Sequence, residues 1–169
     1  GGLSIGGSKL NVMELTIVNN TASERGGGIH VSEEGDIRFQ NCTIENNTAT
    51  SATMGQVQGG GISIADGSPK FEGCSIRHNQ AIGERDRDAS GGGIAILNGN
   101  GTIEFKNCTV EDNTADVGGG LLIRGGQNVH FVGTNFTHNR IRTAGSGGAL
   151  FIDTSGTNAF NECEFHGNH

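Results

Sequence analysis

Hydrophobic and polar positions alternate along this chain in short bursts that repeat. Ile29-His30-Val31, Ile62-Ser63-Ile64, Ile94-Ala95-Ile96, Leu121-Leu122-Ile123 and Leu150-Phe151-Ile152 each set two apolar side chains about a central residue. A glycine phrase precedes each: Gly26-Gly27-Gly28, Gly59-Gly60-Gly61, Gly91-Gly92-Gly93, Gly118-Gly119-Gly120 and Gly147-Gly148-Ala149. Gly1-Gly2-Leu3-Ser4-Ile5 reads as the remains of a sixth copy. Period-two alternation with many β-branched residues predicts strands. A glycine triplet would weaken a helix by about 1 kcal/mol per residue.

A second phrase travels with the first. An apolar residue stands three places before an asparagine at Ile17/Asn20, Ile44/Asn47, Ile76/Asn79, Val110/Asn113, Phe136/Asn139 and Phe165/Asn168. The last glycine (or Ala149) precedes that asparagine by 18, 19, 18, 20, 19 and 19 residues. The asparagine precedes the next such glycine by 8, 14, 14, 7 and 10. Each repeat therefore has a fixed body and one elastic corner, which is the signature of a solenoid.

Counting back from the asparagine gives the inward columns. Val12, Phe39, Phe71, Phe105, Phe131 and Phe160 form one, and Leu15, Cys42, Cys74, Cys108, Thr134 and Cys163 another. The asparagines are expected to turn inward at a bend, each amide bonding the next along the axis, because an unpaired buried amide is costly. Strands of the same sequence spaced this far apart pair in parallel rather than as hairpins. The spacing predicts an all-β, single-stranded, right-handed parallel β-helix of about six rungs, with three parallel sheets and rungs about 4.8 Å apart. Residues 1–169 form one domain in this reading.

Composition agrees. Glycine accounts for 31 of 169 residues, and only 33% of residues are hydrophobic, with neither Trp nor Tyr. A two-layer globule would lack core material, whereas a solenoid needs only a few inward side chains per rung. The net charge of −7 disfavours a nucleic-acid partner. No run reaches the roughly 20 apolar residues of a membrane span.

Gly147-Gly148-Ala149-Leu150 matches GGA[ILV], while Phe136-Thr137-His138-Asn139 and Phe165-His166-Gly167-Asn168 match FxxN. In these paired motifs the chain resembles the chlamydial polymorphic outer-membrane proteins, over nearly its whole length. The other copies depart from the motifs, with Gly for Ala and Ile or Val for Phe. The resemblance implies a pectate-lyase-like β-helix and an autotransporter passenger used in adhesion. It carries no catalytic residues to transfer.

Candidate chemistry is sparse. Cys42, Cys74 and Cys108 fall on adjacent rungs, within Cα reach of a disulfide. The simpler reading is a reduced, buried column, since Thr134 and Leu15 share it and neither can bridge. Outward of the asparagines run Glu45, Arg77, Glu111 and Asn46, His78, Asp112, His138. They read as a charge ladder, against a catalytic or calcium-binding face. Sequons occur at Asn19, Asn41, Asn46, Asn100, Asn107 and Asn135. The longest corners, 48–58 and 80–90, are expected to protrude side by side. The second carries Glu84, Arg85, Asp86, Arg87 and Asp88, a possible binding loop. Ala95, Leu122 and Phe151 are expected to form an outward apolar strip.

The chain opens in the glycine phrase and stops one residue after Asn168. The expectation is an uncapped segment, either of a longer chain or of a fibre whose subunits stack end to end. The function expected is a non-enzymatic structural or adhesive segment of an extracellular or cell-surface protein. Its partners would be itself, host or cell-surface glycans, or proteins; no cofactor, metal or catalytic residue is expected. The alternative is a carbohydrate-active (polysaccharide lyase-like) or carbohydrate-binding β-helix.

Overall fold

The computed structural model describes residues 1–51, 55–85, 88–99 and 101–169. Every strand pairing in it is parallel. The glycine phrases lead into a six-stranded sheet of Leu3–Ile5, Ile29–Val31, Ile62–Ile64, Ile94–Ile96, Leu121–Gly125 and Leu150–Thr154. A second sheet carries the Phe column on Lys9–Met13, Asp36–Gln40, Lys70–Glu72, Thr102–Lys106, Asn128–Val132 and Asn158–Asn161. A third holds the residues before each asparagine, on Thr16–Val18, Thr43–Glu45, Ser75–Arg77, Thr109–Glu111, Asn135–Thr137 and Glu164–His166. The chain is thus a parallel β-solenoid of about five turns. No helix is long and apolar enough to cross a membrane among the described residues.

The register makes like residues meet. Phe39, Phe71, Phe105, Phe131 and Phe160 are successive partners. Their rings stack with centroids 4.9, 4.7, 5.0 and 4.8 Å apart and planes within 9° of parallel. Ile17, Ile44, Ile76, Val110, Phe136 and Phe165 stack likewise. All but Phe165, which is exposed at the last rung, form one continuous buried core with Ile29, Val31, Ile62, Ile64, Ile94 and Ile96. Each such side chain contributes roughly 1.5–3 kcal/mol by leaving water, and each aromatic contact about 0.5–1.5 kcal/mol more.

The corners are single residues in the left-handed region. Between the second and third sheets stand Glu14, Asn41, Gly73, Asn107, Gly133 and Glu162; before each inward asparagine stand Asn19, Asn46, His78, Asp112, His138 and Gly167. All have φ between +51° and +62°, where Gly and Asn cost least.

Three expectations need correction. Four sheets form, not three. The fourth comprises Thr21–Ser23, Thr48–Thr50, Gln80–Ile82, Thr114–Val117 and Arg140–Ser146, together with Val57–Gln58 and Ala89–Ser90. The elastic corners are therefore strand at both ends, and their small Ala49, Ala81, Ala89 and Ala115 pack with Val57 in a core of their own. Leu15 is 41% exposed, having a column neighbour, Cys42, on one side only. The Ala95–Leu122–Phe151 strip is not exposed: Ala95 and Leu122 are fully buried, because Leu97 and Val117 close over the outer face of the first sheet.

Candidate functional site

The asparagine ladder is the most regular polar feature. Asn20, Asn47, Asn79, Asn113 and Asn139 each donate from Nδ2 to Oδ1 of the next asparagine, at 3.0–3.1 Å. The backbone N–H of each donates to that same oxygen, at 2.9–3.1 Å. The second Nδ2 hydrogen goes down one rung, from Asn47 to Ile17 O, Asn79 to Ile44 O, Asn113 to Ile76 O, Asn139 to Val110 O and Asn168 to Phe136 O. Asn47, Asn79, Asn113 and Asn139 are fully buried, and these bonds satisfy both amide donors while loading the acceptor twice.

The cysteine column is also a hydrogen-bond device. Cys42, Cys74, Cys108 and Cys163 are free thiols, the first three buried. Each Sγ lies between two carbonyl acceptors: Gln40 O, Glu72 O and Lys106 O of its own rung at 3.3–3.4 Å, and Val12 O, Phe39 O and Phe71 O of the preceding rung at 3.5–3.6 Å, for Cys42, Cys74 and Cys108 in turn. Thr134 fills the same place, its Oγ1 donating to Phe105 O at 3.2 Å. At the buried rungs the column holds a small side chain with a hydrogen to donate to a neighbouring carbonyl. The neighbouring Cys74 thiol, with burial, holds Cys108 far above the ordinary thiol range. Burial raises Cys42.

The outward face of the third sheet carries ionisable groups. Arg77 donates to Glu45 at 2.9 Å, so the Glu45–Arg77–Glu111 alternation resolves into one pair, with Glu111 left to the next rung. At the corner beside it, His78 Nδ1 lies 3.9 Å from Asp112 Oδ2 and His138 Nδ1 lies 3.9 Å from Glu111 Oε1. One ligating atom from each of Glu111, Asp112 and His138 falls within 4.8 Å of the other two. The rings of His138 and His166 meet edge-on at 5.9 Å.

The outward face of the second sheet is a charged grid. Lys70 pairs with Glu104 at 3.3 Å, and Lys106 with Glu72 at 3.6 Å. Together with Arg38 these side chains line an open depression. The pairs are exposed, so each contributes about 0–1 kcal/mol and remains available to a polar ligand.

The sequons Asn19, Asn41, Asn46 and Asn107 are exposed at left-handed corners, and Asn135 is half-buried on a strand. Asn100 lies outside the described residues. Of the possible binding loop, Glu84 and Arg85 are exposed, and the Asp88 backbone N–H donates to Arg85 O at 3.2 Å. Asp86 and Arg87 lie outside the described residues.

Two polar features carry no motif. Asp116, fully buried, accepts from Arg142 Nε at 3.0 Å and from the Ala89 backbone N–H at 3.1 Å. This joins three consecutive corners. His30, on the covered outer face of the first sheet, keeps a buried, unpartnered Nδ1. Burial, then the nearby Arg25 charge, lowers its pKa below 6.5.

Residues 1–169 match the family described as right handed beta helix region. Searches of curated proteins and of solved structures returned no match.

Proposed function

Because the chain belongs to the right-handed β-helix family, we propose that it works as a non-enzymatic, structural or adhesive rod of an extracellular or cell-surface protein. The observation that carries this reading is the self-complementarity of the rung. Asn bonds Asn, Phe stacks on Phe and Ile on Ile through successive turns. A rung of this kind presents the face its neighbour needs, so the same contacts that extend the rod within a chain can extend it between chains. Its GGAL and FxxN copies, similar to those of chlamydial surface adhesins, favour adhesion as the use of the outer faces, and the exposed sequons fit an extracellular setting. Electron microscopy of the native material, with intact mass, tests this. Long rods or fibres support the reading, and compact monomers of 17.4 kDa overturn it.

A second reading rests on the charged grid of Arg38, Lys70, Glu72, Glu104 and Lys106. An open face that alternates donors and acceptors over parallel strands suits a polyanionic or hydroxyl-rich polysaccharide. Incubation with acidic polysaccharides separates the two. Chain shortening that is lost in Lys70→Ala, Glu104→Gln or Lys106→Ala, with the fold intact, establishes the carbohydrate-active alternative and removes the first.

A further inference from the structure

We propose that Glu111, Asp112 and His138 form a binding site for one divalent first-row transition ion, with Zn2+ the ion their donors suit best. The strands Thr109–Glu111 and Asn135–Thr137 are in register, Glu111 opposite Thr137. Asp112 and His138 therefore occupy equivalent places on adjacent rungs, and their φ values of 51° and 53° turn the chain alike at both. Glu111 sits one residue before the turn. Two carboxylates and an imidazole are thus brought to one corner by backbone geometry, with a ligating atom of each within 4.8 Å of the others.

Tetrahedral Zn2+ with bonds of 2.0–2.2 Å holds its donors roughly 3.3–3.6 Å apart. Closing from the present separations takes about 1 Å of side-chain movement, and all three residues have solvent access in which to make it. The surroundings favour a cation. Arg77, which lies in register with Glu111, is turned to Glu45 at 2.9 Å. His78 approaches Asp112 from the preceding rung, its Nδ1 3.9 Å from Asp112 Oδ2. The His166 ring adds a further imidazole beyond His138. Imidazole donors select against Ca2+ and Mg2+, which take oxygen. Three protein ligands leave the fourth position to water or to a group on a partner.

The test is titration calorimetry of Zn2+ into the untagged chain, with Ca2+ and Mg2+ as comparisons. The expected result is one Zn2+ per chain with micromolar affinity, retained against an approximately 100-fold excess of Ca2+ or Mg2+. His138→Asn and Glu111→Thr each weaken it by at least about tenfold. Both substitutions use residues that the same columns already hold, at Asn46 and at Thr137, so the fold is kept and circular dichroism verifies it. Loading with Co2+ provides a second readout, since ligation by nitrogen and oxygen lacks the intense ultraviolet band of a thiolate site. No saturable Zn2+ binding, undiminished affinity in both variants, equal affinity for Ca2+, or a thiolate band would each overturn the proposal.

Discussion

Gly61 lies directly against the amide of Asn79: a Cβ built on the glycine would stand 2.9 Å from both Cγ and Nδ2 of the asparagine. Gly28 meets Asn47, Gly93 meets Asn113 and Gly120 meets Asn139 in the same way, at 2.8–3.0 Å. The two phrases that recur through the chain are thus halves of one contact. The third glycine is bare so that the inward amide can lie flat beneath the core and bond along the axis. Gly61→Ala would set its Cβ 2.7 Å from the Gly93 carbonyl oxygen as well as against Asn79, and is expected to push both aside and to destabilise by about 1–3 kcal/mol, read from the urea midpoint. Ala149 stands where Asn168 is only half-buried and can give way, so Ala149→Gly is expected to cost less than about 1 kcal/mol.

Cys108 tests what the cysteine column is for. If the thiol serves as a donor to Phe71 O, then Cys108→Thr, copying Thr134, keeps stability within about 1 kcal/mol of the parent. Cys108→Ala frees a buried carbonyl and leaves a small void, and is expected to cost about 1–3 kcal/mol. The thiol reagent reaction in the folded state is expected at Cys163, the half-buried member, ahead of Cys42, Cys74 and Cys108. Equal losses in the Thr and Ala variants would show that volume, not donation, decides the column.

Much of this architecture is legible from residue spacing, for a physical reason. Phe39, Phe71 and Phe105 stack because parallel in-register strands carry equal positions onto equal positions, so the core is written as literal repetition. The fourth sheet was not legible. Thr48–Thr50 and Val57–Gln58 are held by backbone bonds between segments of unequal length, with small Ala49 and Ala81 in place of an apolar alternation. Spacing placed Leu122 facing outward, but that Val117 would fold over it depends on the path of a corner that has no fixed length. The Glu111–Asp112–His138 corner was visible only as two adjacent columns. Its convergence follows from the left-handed turn at Asp112 and His138, which no motif marks.

Asp116 shows how the elastic corners are held. Its carboxylate is fully buried, with Arg142 and the Ala89 N–H as its hydrogen-bond donors. Removing the solvent-facing Arg142 leaves the buried carboxylate short of one donor, which costs about 1–3 kcal/mol. Arg142→Ala is therefore expected to lower the thermal midpoint, whereas Arg142→Ala with Asp116→Asn recovers most of the loss by removing the charge itself. Scanning calorimetry of the single and double variants measures the coupling. A single variant as stable as the parent would place the corner's stability elsewhere.

His30 gives the fold a pH dependence whose sign can be worked out. Burial and the neighbouring Arg25 disfavour its imidazolium, so its pKa lies below 6.5 in the folded chain, while the nearby Ser63 backbone only partly opposes this. In the unfolded chain the ring protonates near 6.5, so below that value the unfolded state binds more protons than the folded one. Its contribution to stability is then complete above 6.5 and declines as pH falls through 6.5 toward the folded value. His30→Ser, which copies Ser4 and Ser63 of the same column, is expected to remove this part of the slope and leave the rest. Urea midpoints of parent and variant between pH 5 and 8, the window in which an ordinary histidine titrates, are expected to diverge only at the acid end. Parallel curves would mean that His30 titrates in the fold as it does in water, and that the cover over the first sheet is open to solvent at that rung.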